Sequence, residues 1–249
     1  MQGRSVISNA SIVVSDEKCW GRWPTLGLGL IALLAGQLAA LLALAWWYGL
    51  SLSHWPDIAR DGVAVTLLIC LSTPLQVVLL TFFARRAGAR AGDYLGFTMP
   101  RKRDAALGII AVGILTLVSD GVSWLLGHNI VTPFQSEIYR TASTAGWLPW
   151  LWLTIVVMTP IGEETLFRGF LFRGWHRSPR DAWAVIGMTA LLWAIIYIQY
   201  DLYVIGQVFA FGVLLGWFRL VTGSTTLTIL LHGLANGEAM LETVLALHT

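Results

Sequence analysis

The sequence is short of charge. Asp, Glu, Lys and Arg together make up 12% of its 249 residues, where a soluble globular domain carries about 25%. A chain so poor in ionic groups cannot cover its surface with them, which excludes an ordinary water-soluble fold. Acidic and basic residues nearly cancel, 14 against 16, for a net charge of +2, so no broad basic face is available for nucleic acid. Nucleic acid is not an expected partner. Cysteine is scarce too: Cys19 and Cys70 stand far apart, one in the N-terminal tail and one inside an apolar run. That spacing offers neither a disulfide framework nor a zinc-finger pattern. No internal repeat or low-complexity segment appears, and no polar stretch is long enough for a soluble domain.

What the chain has in quantity is apolar and aromatic surface. Hydrophobic residues reach 56%, with 13 Trp, and the mean hydropathy is +0.69. This composition predicts an all-α, polytopic transmembrane bundle whose first partner is the lipid bilayer. Residues 1–24 read as a polar cytoplasmic tail, disordered to about Asp16, and 25–249 as one transmembrane domain. The first apolar run exceeds about 20 residues, enough to cross a bilayer, so it reads as a spanning helix rather than a cleaved signal peptide.

About seven spans follow, near 26–47, 63–83, 105–126, 147–168, 182–198, 203–220 and 225–247. Arg85, Arg86, Arg90, Arg101, Lys102 and Arg103 crowd one connection, and Arg168, Arg173, Arg177 and Arg180 another. Both clusters mark cytoplasmic ends by the positive-inside rule. The two agree on a cytoplasmic N-terminus in a plasma (inner) membrane of bacterial type.

Few polar residues remain inside the spans, and the densest group is Pro160-Ile161-Gly162-Glu163-Glu164-Thr165-Leu166-Phe167-Arg168. A carboxylate at the bilayer centre costs about 2.5–3.5 kcal/mol on insertion scales, so such groups face the bundle interior and find partners. Glu164 and Arg168 are four apart on one helix face, in the favourable acid-before-base order. Glu163 lies about 100° round the helix and is free to point elsewhere. A structural ion-pair clamp is one reading of the group. It leaves one acid over, because a single arginine neutralises a single carboxylate.

Further on, His232 and Asn236 share one face of the last span. A helix–helix hydrogen-bond pair is the plain reading of these two. His232 lies about seven residues and Glu163 about ten from the same end of their helices, or about 10–15 Å, so the two can meet. A carboxylate, an imidazole and an amide around a small wet pocket suit amide hydrolysis. The base takes a proton from water, and the donors stabilise the oxyanion that develops on the carbonyl. Asp120 and Glu238 read as snorkelling or pairing across helices.

Taken together, Glu163-Glu164-x-x-x-Arg168, Trp193-x-x-x-Tyr197 and His232-x-x-x-Asn236 resemble the motifs of the CPBP intramembrane proteases. That family includes the Abi (bacteriocin-immunity) proteins and the type II CAAX prenyl endopeptidases, and the resemblance covers about 145–240. It implies an all-helical endopeptidase acting on a peptide or a lipidated protein. In that scheme Glu163 activates water, His232 and Asn236 form the oxyanion hole, and Glu164 with Arg168 supports the site. The middle motif departs from the pattern, with Tyr197 where the family usually has histidine. A phenol has an ordinary pKa near 10 and cannot share a proton with Glu163 at neutral pH as imidazole can.

Tyr197 also falls about 15 residues along its span, so that helix has to tilt or start above the membrane plane. No cofactor is expected. Glu163, Glu164 and His232 could supply the three ligands a catalytic zinc needs, but without the middle histidine a metal-independent glutamate mechanism is favoured. Two other readings remain open. One is a catalytically impaired member serving as a membrane partner or immunity-type protein. The other is a small proton-coupled transporter, disfavoured because no repeated halves appear.

Overall fold

The computed structural model describes residues 19–48 and 58–248. The expected tail, with its disorder up to Asp16, therefore lies mostly outside the described residues, as does most of the 49–61 loop. Among the described residues all regular structure is helical. The long helices are α1 (Arg22–Tyr48) and α2 (Gly62–Arg86), with the short α3 (Ala91–Leu95) next, then α4 (Lys102–Leu126). A second short helix, α5 (Pro133–Thr144), precedes the composite α6 (148–175), and α7 (Ala182–Ile195), α8 (Leu202–Thr222) and α9 (Thr225–His248) complete the bundle. Among the described residues four helices are long and apolar enough to cross a membrane, within Arg22–Trp46, Gly62–Arg86, Lys102–Leu126 and Leu202–Thr222. The chain is a helical membrane bundle, as its composition predicts, and α3 and α5 sit in the connections.

Local chemistry sets several boundaries. Asp61 caps α2 by accepting from Ala64 N at 2.8 Å, and Asp201 caps α8 by accepting from Val204 N at 3.0 Å. Each oxygen satisfies one backbone donor that the first turn leaves open. Thr132 and Gln135 form a reciprocal capping box at α5, with Pro133 in the first turn. Helix α8 ends at Gly223, whose φ of +69° is the left-handed conformation that glycine adopts without strain.

The central element is α6. Its backbone stays in the right-handed helical region at every junction, yet two stretches, Thr154–Met158 and Thr165–Leu171, are π-helical. Wide turns of this kind shift which side chains share a face, and they are frequent at functional sites. Leu166, Phe167, Phe170 and Leu171 are buried, so the stretch after Glu164 forms the middle of the bundle. Three cross-helix bonds pin it. Gln76 of α2 donates to the Gly162 carbonyl at 2.8 Å, Asn236 of α9 to Ile155 O at 2.8 Å, and Arg219 of α8 to Arg168 O at 2.9 Å. The last two acceptors lie inside the wide turns.

Between helices, lipid tails are as apolar as leucine, so association depends on close packing and on such hydrogen bonds. Gly233 of α9 is one point of close approach: a Cβ there would stand 2.7 Å from the Val156 carbonyl oxygen. The outward faces are apolar, with Leu34, Leu38 and Leu42 of α1 and Ile110, Ile114 and Leu117 of α4 all exposed. Helix α4 is the least embedded of the long helices, burying Gly108, Val112 and Ser123. Near it, Asp120 meets Glu242 and Glu238 accepts from the Thr116 hydroxyl at 3.3 Å, so the carboxylates of α4 and α9 pair across the helix boundary.

One expectation about an element needs changing. The apolar pattern predicts a fifth span to residue 198 with Tyr197 on it, but α7 stops at Ile195 and the chain turns over 196–201. Tyr197 therefore reaches the interior from a turn past the helix end, and no exceptional tilt is required.

Candidate active site

The two carboxylates of α6 diverge as their spacing predicts. The Glu164 side chain is fully buried, whereas that of Glu163 keeps 20% of its surface exposed. Glu164 Oε1 accepts from Arg168 Nη1 at 2.8 Å and faces His232 Nδ1 at 3.0 Å. A carboxylate only accepts, so the proton of that contact sits on Nδ1, and Nε2 of the ring is turned toward Glu163. The distance from His232 Nε2 to Glu163 Oε2 is 3.9 Å. That is too long for a direct hydrogen bond and suits one bridged by water.

Arg168 is 0% exposed, and its Nη2 donates to the Gly212 carbonyl at 2.9 Å, tying α6 to α8. Its guanidinium carbon also stands 4.6 Å from the centre of the Trp193 ring, a cation–π contact. Trp193 is the residue that sequence reasoning placed in a motif without giving it a role. Its indole N–H donates to Glu163 Oε2 at 2.6 Å, and its ring meets His232 edge-on at 5.2 Å. The Tyr197 hydroxyl donates to the same carboxylate, 3.0 Å from Oε2 and 3.2 Å from Oε1. Tyr200 stacks beside Tyr197 with centroids 5.9 Å apart, and burial pushes its phenol up to about 12, so it stays neutral.

Glu163, Glu164, Arg168, Trp193, Tyr197 and His232 thus form one connected cluster. Asn236 stands apart from its bonds, since its amide is engaged with Ile155 O. It nevertheless lines the same space. A cavity of about 640 Å³ is bounded by Trp193, Tyr197, His232 and Asn236 on one side and by α4 and α8 on the other. A smaller space of about 210 Å³ touches Glu163, Tyr197 and Asn236. Ser119, Tyr203 and Gln207 supply a polar patch to the larger cavity, with Gln207 Nε2 donating to Ser119 Oγ at 2.6 Å and to the buried Ser123 Oγ at 3.1 Å. Leu115, Val118 and Val122 of α4 keep that wall apolar.

The donor set does not suit zinc. The Glu164 oxygen that faces His232 is already held by a guanidinium, and His232 Nδ1 is committed to it. A divalent cation would have to displace that arginine. Among the described residues no group of three His, Cys, Asp or Glu side chains is arranged to hold a metal. Arg219 is a functional residue that the sequence reading misses, although a lone arginine within an apolar helix is a usable signal for it.

Comparison with known proteins gives three findings. Residues 145–237 match the family described as Rce1-like, type II CAAX prenyl endopeptidase Rce1-like. An uncharacterized 24.3 kDa protein of Escherichia coli is 31% identical over 126 residues, a stretch that covers 49% of this chain and 57% of that protein. The shared part thus spans little more than half of the relative. No solved structure matches the chain. The family match bears out the resemblance read from the motifs: residues 145–237 of this membrane protein are similar to the Rce1-like, type II CAAX prenyl endopeptidase family.

Proposed function

We propose that the chain is an intramembrane endopeptidase that hydrolyses a peptide bond with water activated by Glu163. The observation carrying this reading is the Glu163 carboxylate itself, partly exposed within the bundle and 3.9 Å from His232 Nε2. A water seated in that gap gives its proton to Glu163, and its oxygen bonds to the scissile carbonyl carbon. The carbonyl oxygen takes the negative charge and is met by the second N–H of Asn236 and, when the ring carries both protons, by Nε2–H of His232, its Nδ1–H staying on Glu164. Collapse of the adduct breaks the C–N bond, and the proton held by Glu163 passes to the leaving nitrogen. Glu164 and Arg168 orient the imidazole through Nδ1, while Trp193 and Tyr197 fix the carboxylate. No metal takes part. The substrate is a peptide or a lipidated protein, the membrane a bacterial inner membrane, and the N-terminus cytoplasmic, the side marked by the two arginine clusters.

A second reading has its own support. Glu163 already accepts from two donors, Trp193 and Tyr197, which leaves fewer lone pairs for water than an imidazole neighbour would. That favours a catalytically impaired relative acting as a membrane partner or immunity-type protein. Reconstituted protein incubated with a panel of membrane peptides separates the two. Cleavage by wild type that Glu163→Gln abolishes supports the enzyme. Cleavage by Tyr197→His alone supports the impaired relative. If neither folded protein cleaves any peptide, the peptidase reading fails.

A further inference from the structure

A separate cavity, about 220 Å³, shares no lining residue with those beside Glu163; Asp93, Phe172, Arg173, His176, Arg219 and Gly223 line it. It lies where the connections on one end of the bundle come together. Ser224 Oγ donates to Thr98 O at 2.6 Å and Thr225 Oγ1 to Leu95 O at 2.6 Å, joining the 222–225 turn to the basic 87–101 connection. Arg22 and Asp181, 2.9 Å apart, bring the start of α1 to the 176–181 connection.

Arg219 is 8% exposed. Its Nε is spent on the Arg168 carbonyl, which fixes the guanidinium in place with its face 5.4 Å from the Phe172 ring. Among the described residues no carboxylate pairs with it. A buried cation without a counter-charge is costly, since desolvation of an ion is repaid only by a close partner. His176 adds a second donor. Its Nε2 is buried and has no hydrogen-bond partner among the described residues. Burial, together with the neighbouring Arg219, pushes the imidazole below its usual value. Arg173 contributes further positive potential to the lining.

We propose that this cavity binds a phosphate group, with the Arg219 Nη donors and His176 as its ligands. Arginine suits the task because its planar fork presents paired N–H groups to phosphate oxygens. Asp93 is exposed on the lining, where it would repel a bare anion. It fits a phosphate that carries a hydroxyl or ammonium donor beside it. A phospholipid headgroup has that chemistry, and so does free hydrogen phosphate through its own P–OH. The site is independent of the peptidase reading.

The test follows thermal unfolding of the full chain in neutral detergent. One arm adds inorganic phosphate against chloride of equal ionic strength, and the other adds phosphatidylglycerol to the micelles. A rise in Tm with phosphate assigns the free anion, and a rise with phosphatidylglycerol alone assigns the headgroup. In either arm His176→Ala and Arg219→Lys weaken binding about tenfold, equivalent to about 1.4 kcal/mol. The proposal is overturned if neither probe raises Tm, or if the rise is equally large in the variants. Should Arg219→Lys not fold, His176→Ala decides alone.

Discussion

Trp193 holds the cluster together at the residue scale. Its N–H meets Glu163, its face meets Arg168 and its edge meets His232. Trp193→Phe keeps the packing and removes the hydrogen bond to a charged group, an effect of about 1.5–3 kcal/mol. Unfolding measurements on Trp193→Phe, Glu163→Gln and the double variant should therefore show strong coupling. Additive losses would mean that the 2.6 Å contact contributes little. The reason Trp193 was hard to read lies in its chemistry. A carboxylate in an apolar run stands out because burying it is expensive, so Glu163 and Glu164 were visible at once. An indole in a membrane helix is ordinary, and nothing in a chain with 13 tryptophans marks the one that donates to an acid.

For the elements, the instructive case is α6, whose apolar length and terminal arginines were legible while its two π-helical stretches were not. Those depend on partners contributed by α8 and α9, namely Arg219 and Asn236, which a local pattern does not contain. The early end of α7 at Ile195 was hidden for a similar reason: residues 196–198 are Ile-Tyr-Ile, as apolar as the helix before them. Close packing of α9 on α6 gives a direct test. Gly233→Ala puts a methyl 2.7 Å from the Val156 oxygen, and overpacking of this kind costs about 1–3 kcal/mol. The variant should lose stability by that amount and, if the peptidase reading holds, lose cleavage as well, because His232 sits one residue before the displaced contact. Unchanged stability would show that α9 can slide away freely.

Across the whole molecule, the helix ends and connection of residues 85–103 carry Arg85, Arg86, Arg90, Arg101, Lys102 and Arg103, and the hydrogen bonds from Ser224 and Thr225 bring the 222–225 turn to the same end. A cysteine placed at Arg90 in a Cys19→Ser, Cys70→Ser background should react with an impermeant maleimide in inverted membrane vesicles and not in right-side-out ones. The opposite labelling pattern would reverse the proposed orientation.

The weak embedding of α4 bears on how the interior is reached. With that helix burying only Gly108, Val112 and Ser123 and a hollow of about 640 Å³ behind it, the wall between that hollow and the lipid on this side is a single lightly attached helix. Visitors dissolved in the surrounding lipid would arrive sideways, and their passage would depend on how far one lightly attached wall can swing.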